Sequence, residues 1–198
     1  MTSEPLAEQI MHHARTLPEG EPLYAKQLLG LGSRAGVDQA LSRLARTGAL
    51  LRVGRGLYVR PVESRFGTRA PETEKLVEAI AGARGETVAS HGAAAANALG
   101  LTTQVPTRSI YLTSGRSRTL TLGKLNVELQ HVPSWQLTLA GRPGGEIVRA
   151  LAWLGPERAC QLSPLLKLKA QRSAIEEVAR ARIRLPEWMA RQVSELAA

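Results

Sequence analysis

Two alternating periods organise the apolar positions of this chain. From Arg34 to Arg46, the residues Val37, Ala40, Leu41 and Leu44 fall at i, i+3, i+4 and i+7, which is one stripe of an α-helix. Ser33 stands where an N-cap belongs, its hydroxyl able to accept from the free N–H groups of the first turn. Gly48 stands where a left-handed C-cap belongs. Downstream, Leu50–Val53 and Leu57–Arg60 are short β-prone runs around Gly54-Arg55-Gly56, the pattern of a hairpin with a basic tip. Upstream, residues 5–17 place Leu6, Ile10, Met11 and Leu17 with Ala7 and Ala14 between them, which predicts a first helix. Pro18 to Pro22 ends it as a loop, Tyr24 to Leu29 is expected as a short second helix, and Gly30-Leu31-Gly32 turns the chain into the helix at Arg34.

Beyond residue 60 the periods alternate again. Pro61 to Pro71 reads as a linker, with turn formers at both ends. Pro71, Glu72 and Glu74 then open a helix whose stripe is Leu76, Val77, Ile80 and Ala83, ending at Gly82 and Gly85. Thr87-Val88-Ala89 is expected as extended, with Ser90 capping an alanine-rich helix that follows. Ser109–Thr113, Thr119–Leu122 and Leu125–Val132 alternate as strands do, around the basic turn Ser114–Arg118. Gly141 to Gly145 ends the strand region. After it Ile147, Leu151 and Leu154 mark a helix closed by Gly155-Pro156, with further helices expected over 162–170, 174–183 and from Pro186. The expected class is α+β: a helical module with a wing over residues 1–61, then a mixed α/β domain over 62–198 with a small antiparallel sheet and C-terminal helices.

Three helices followed by a hairpin with an arginine at its turn are written as a winged helix-turn-helix. A major groove about 12 Å wide admits one α-helix, whose outward side chains then face base edges. A hairpin beside the helix can set an arginine against flanking phosphates or in the minor groove. The outward face of the 34–46 helix carries Arg34, Asp38, Gln39, Ser42, Arg43 and Arg46. With Ser33 at the cap, Arg52, Arg55 and Arg60 on the hairpin, and Arg116 and Arg118 in the later basic turn, these are the candidate DNA-binding residues. The bland alternative is a surface helix and a β-ribbon with solvated arginines. Against it, residues 33–60 hold six arginines and a single acid, Asp38.

Composition sharpens this picture. The 198 residues carry 26 Lys+Arg against 17 Asp+Glu, a formal charge of +9 that favours polyanionic partners. Hydrophobic residues make up 43% but aromatics only 4%, so Leu, Ala and Val must fill the core. One cysteine, Cys160, excludes an intrachain disulfide and a Cys-rich zinc site. The amino terminus lacks a basic segment followed by an apolar core, and no apolar run is long enough to span a membrane, so a cytoplasmic protein is expected. His12 and His13 have no companion ligands at metal spacing, and Ser90-His91 lacks the elbow motif of a nucleophilic serine. No phosphate-binding glycine loop, zinc-helix motif or carboxylate cluster is present, so no catalytic residue, cofactor or metal is expected and an enzyme is not.

The stretch Arg52-Val53-Gly54-Arg55-Gly56-Leu57-Tyr58-Val59, followed later by Asn97-Ala98-Leu99-Gly100-Leu101-Thr102-Thr103-Gln104-Val105-Pro106, resembles the AbiEi antitoxin family and its DUF6088 relatives over roughly residues 5–135. The resemblance implies a component of a type IV toxin–antitoxin or abortive-infection system. Its winged helix would bind inverted repeats in its own promoter as double-stranded DNA and repress transcription. Its C-terminal domain would support DNA binding and oppose a nucleotidyltransferase-like toxin. By position, Arg34, Gln39, Ser42, Arg43 and Arg46 would read the groove and Arg55 would be the wing contact. Two alternatives stay open: a protein-interaction module that grips an acidic partner, and a stand-alone regulator without a toxin.

Overall fold

The computed structural model describes residues 4–65 and 67–198; Met1 to Ser3, and Phe66 within the expected linker, lie outside the described residues. The architecture is α+β, and its residues group into two compact units, 1–85 with 119–127, and 86–118 with 128–198. Among the described residues no helix is long and apolar enough to cross a membrane.

In the first unit, α1 (Leu6–Thr16) and α2 (Arg34–Arg46) flank a 3-10 helix over Ala25–Gly30. The stripe read from the sequence is what packs. Val37 and Leu41 are fully buried with Ile10, Ala14, Leu23, Leu28, Leu50 and Tyr58 in one cluster. Ser33 caps α2 by accepting from the Gly36 N–H at 3.2 Å, and Gly48 takes the left-handed φ of +78° just past the helix end. The expected second helix over residues 24–29 is this 3-10 helix, which starts one residue later than expected because Tyr24 belongs with Leu23 to a two-residue strand, β1 (Leu23–Tyr24). β1 joins β2 (Leu51–Gly54) and β3 (Leu57–Val59) in a three-stranded sheet ordered β1-β3-β2, with Leu23 opposite Tyr58 and Tyr24 opposite Leu57. The edge of β3 offers backbone partners to Leu23 and Tyr24, which holds them extended rather than helical.

The linker expectation is corrected. Residues 62–69 form an antiparallel hairpin, β4 (Val62–Ser64) with β5 (Gly67–Arg69), and the Ser64 hydroxyl donates to the Gly67 carbonyl at 2.7 Å across it. The segment that follows, α3 (Thr73–Gly82), buries Leu76, Val77, Ile80 and Ala81 and belongs to the first unit, so the expected boundary at residue 61 falls inside that unit. Contacts tie 62–85 to what precedes it. Arg69 pairs with Glu19 at 3.7 Å, and Gly20 sits so close to Lys75 that a Cβ there would lie 3.1 Å from the Lys75 Cβ.

In the second unit, β6 (Val88–Ser90) and β7 (Ser109–Thr113) pair antiparallel. The sheet they belong to is four-stranded and ordered β6-β7-β9-β8, with β8 (Arg118–Leu122) and β9 (Leu125–His131) contributing residues 119–127, which group with the first unit. The helices are α4 (Gly92–Ala98), α5 (Pro143–Lys169), α6 (Arg172–Arg180) and α7 (Glu187–Ala197). The expected helix end at Gly155-Pro156 is present within α5: Gly155 leaves the helical range at φ +75°, ψ 169°, and a second helical stretch runs from there to Lys169. Gly144 and Gly145, expected in the terminating loop, lie in the first turn of α5. They are glycines because a Cβ on Gly145 would overlap the Leu139 carbonyl, and one on Gly144 would lie 2.7 Å from the Glu177 carboxylate.

The Ser90 cap is also corrected, by one residue. The N-cap of α4 is His91, whose Nδ1 accepts from the Ala93 N–H at 3.2 Å. Ser90 ends β6, and its hydroxyl lies 3.1 Å from both oxygens of Glu146 and 3.3 Å from Arg149 Nε. Arg149, 1% exposed, donates to Glu146 at 2.6 Å. A buried guanidinium needs such a carboxylate, because an unpaired interior charge is strongly destabilising.

Burial holds the His91 pKa below its ordinary 6.5. Protonation would also remove the acceptor that caps α4. The stability His91 contributes is therefore complete above about pH 6.5 and falls as pH drops through the lowered folded-state value. His91→Asn keeps a capping acceptor that does not titrate, so its thermal midpoint is expected to fall less steeply than that of the parent between about pH 7 and pH 5. Parallel curves would remove His91 as the source of the dependence. Leu41→Ala, which empties a fully buried site, is expected to cost about 2–5 kcal/mol in chemical unfolding.

Candidate nucleic-acid interface

Backbone hydrogen bonds hold the wing to the body of the first unit. The Ala25 N–H donates to the Gly56 carbonyl at 3.0 Å, and β1 pairs with β3 immediately beside that bond. Arg55 and Gly56 form the turn between β2 and β3, and Gly56 adopts φ +65°, which a side chain would strain. Arg55 is exposed at this fixed tip. Between the wing and α2 lies a cleft of about 740 Å³. Its walls bring in Lys26 from the 3-10 helix, Arg34, Asp38 and Ser42 from one side of α2, Arg52 and Arg55 from the wing, and Arg84 from beyond α3. Among the described residues that is five cations and one carboxylate, with the aromatic rings of Tyr24 and Tyr58 in the same lining.

Helical spacing explains why Arg34, Asp38 and Ser42 share the cleft side: they stand four residues apart, one above the next. Arg34 Nε donates to Asp38 Oδ2 at 3.0 Å, while both side chains stay more than half exposed. Arg52 Nε reaches the Gly54 carbonyl at 3.4 Å, steadying its own strand. Gln39, Arg43 and Arg46 lie on α2 outside the cleft lining, and Arg60 is half-buried at the far end of β3. Ser33 is engaged as the helix cap.

Two candidates lie in the other unit. Arg116 is exposed on the turn before β8. Arg118 is turned inward: Nη2 donates to Glu86 Oε2 at 2.5 Å and Nη1 to Glu86 Oε1 at 3.2 Å, with only 17% of the side chain exposed. Its guanidinium closes the second unit rather than facing solvent. Sequence reasoning missed Lys26 and Arg84, which reach the cleft only through tertiary packing. Lys26 had a local signal, as a lone cation just past an expected helix start. Arg84 had none.

Comparison with known proteins agrees with the architecture. The model of DUF6088, a family of unknown function, matches residues 9–171. No curated protein matches the chain. Among solved structures, the RV2827C protein from Mycobacterium tuberculosis superposes with a TM-score of 0.53 at 17% identity, covering 98% of this chain and 76% of that one. At that identity the likeness concerns the fold.

Arg55 and Arg118 separate a ligand-facing role from a structural one. Arg55→Ala is expected to leave the melting temperature unchanged and to lower the slope of log affinity for duplex DNA against log salt by about one. Arg118→Ala leaves the mostly buried Glu86 without its cation and with only the Thr113 hydroxyl as a partner among the described residues, and is expected to destabilise the fold by about 1–3 kcal/mol with the salt slope intact. Calorimetry and fluorescence titration at two salt concentrations read both.

Proposed function

We propose that this chain, which belongs to the DUF6088 family, is a sequence-specific DNA-binding repressor acting on its own promoter in the cytoplasm. The observation that carries the reading is the cleft between α2 and the wing, where Lys26, Arg34, Arg52, Arg55 and Arg84 converge around one carboxylate. Such a surface supplies the two things duplex recognition needs. Fixed cations at the wing and flanks neutralise phosphates and set the register. A helix with Arg34, Asp38, Gln39 and Ser42 on its outward face offers donors and acceptors to base edges. The rest of that face, Arg43 and Arg46, lies along the last turns of α2, where it would meet the backbone of the same groove.

The finer reading is that of an antitoxin in a type IV toxin–antitoxin pair, with a nucleotidyltransferase-like partner. It is supported by a groove of about 580 Å³ on the second unit, where Arg180, Arg182 and Ile183 meet Arg191, itself paired with Glu187 in the same lining. Ile183 is 92% exposed between two arginines, and arginine beside an exposed apolar anchor is the composition of a protein interface. The repressor reading needs no catalytic residue, metal or cofactor. The hydroxyl of Ser90 and the ring of His91, which would suggest a nucleophile and its base, are engaged with Glu146 and with the α4 backbone.

Titration of the full chain against the duplex upstream of its own reading frame, and against a scrambled duplex, tests the first half. A preference of about a thousandfold or more is expected; equal, salt-sensitive affinity for both would reduce the cleft to generic polyanion binding. For the second half, Ile183→Asp is expected to abolish neutralisation of a toxin encoded beside this gene while leaving promoter affinity unchanged. Neutralisation by the variant at the parent level would sink the antitoxin assignment of that groove.

A further inference from the structure

The geometry points to Arg34 and Asp38 as a coupled reader of one G·C base pair, with Arg34 on the guanine and Asp38 as the residue that positions it. This rests on the reading of the α2–wing cleft as a DNA site. Arg34 is the first residue of α2. A cation there lies at the positive end of the helix dipole, where it is unfavourable for the helix. The first turn of α2 contains no acid to offset it. Its i,i+4 partner Asp38, one turn on, offsets that cost on the helix surface, and the pair still leaves more than half of each side chain open to a ligand.

The bond between the two side chains decides what that ligand is. Asp38 Oδ2 accepts from Arg34 Nε at 3.0 Å. A guanidinium held through Nε keeps its two terminal amino groups side by side and available, in the fork that matches the O6 and N7 acceptors of guanine. The same fork would also match a phosphate, but Asp38 discriminates. Its carboxylate lines the same cleft, and it would repel a phosphate drawn in against Arg34. At a base edge the charge has the opposite effect, since the second carboxylate oxygen can accept from the N4 amino group of cytosine. The remaining cleft cations, Lys26, Arg52, Arg55 and Arg84, fit the flanking phosphates, since Asp38 is the one carboxylate among the described residues of the lining and it is engaged by Arg34.

Selection from a randomised duplex pool, carried out with the full chain and its variants, tests this with the operator left for the pool to reveal. The parent is expected to enrich a motif in which replacing one G·C pair costs about five- to 150-fold in affinity, the range of one bidentate base contact. Arg34→Lys keeps the charge and loses the fork, so it is expected to lose information at that pair alone, with the salt slope and the rest of the motif retained. Asp38→Ala is expected to weaken preference at the same pair while raising affinity for non-specific duplex. Both side chains are exposed, so melting temperatures should stay at the parent value. If the parent enriches no motif, the repressor reading itself fails. If the parent enriches a motif and Arg34→Lys enriches the same one unchanged, the DNA site stands and this assignment is overturned.

Discussion

One backbone hydrogen bond, from the Ala25 N–H to the Gly56 carbonyl, ties the tip of the wing to the body of the first unit. A two-stranded hairpin alone is marginal in water, and its tip would sample many directions. Here β1 adds a third strand for only two residues, and the Ala25 bond extends that pairing to the turn itself. Arg55 is thereby held at one distance from α2. The other wall of the cleft has a different cause: α2 has one apolar stripe, and burying Val37 and Leu41 leaves Arg34, Asp38 and Ser42 no choice but to face outward. Polar side chains on one wall and an arginine at the turn of the other both follow from satisfying the core and the backbone first.

Much of this was legible in the amino-acid order. The limits of α2, its serine cap and the glycine after it each have a local physical cause, so each could be read locally. The wing was legible for the same reason. What could not be read depends on partners distant in the chain. β1 is two residues long, below any period, and exists because β3 offers it an edge. Gly144 and Gly145 carry the composition of a helix terminator, yet they sit in the first turn of α5 and are glycine because Leu139 and Glu177 leave no room for a Cβ. Arg84 joins the cleft through tertiary packing alone, with nothing in its sequence neighbourhood to announce it. The hairpin over 62–69 shows no alternation, since its two faces are both largely exposed and neither demands apolar residues.

Net charge alone overstates how much of the basic character faces solvent. Arg118 is bound to Glu86 and Arg149 to Glu146, each with its guanidinium largely or fully enclosed. Arg142, by contrast, leaves most of its own side chain in water while pairing with Glu177, whose other oxygen accepts from the Gly144 N–H at the start of α5. Arginine suits this internal work because its planar fork can satisfy several acceptors at once. The same residue type therefore builds the second unit and lines the open cleft of the first, and only burial tells the two placements apart.

The partnership of Ser90, Glu146 and Arg149 has a consequence for the order in which the molecule assembles. Glu146 and Arg149 lie 56 and 59 positions beyond Ser90. The core cluster beneath α2, from Ile10 to Tyr58, is by contrast complete within the first 58 residues. Loop-closure entropy delays contacts between distant positions and spares local ones. On a ribosome, the wing and α2 can therefore close as soon as that stretch has emerged, while β6 waits with an unmatched serine until α5 is made. A nascent chain would hold α2 and the wing packed together before its second half had any fixed structure at all.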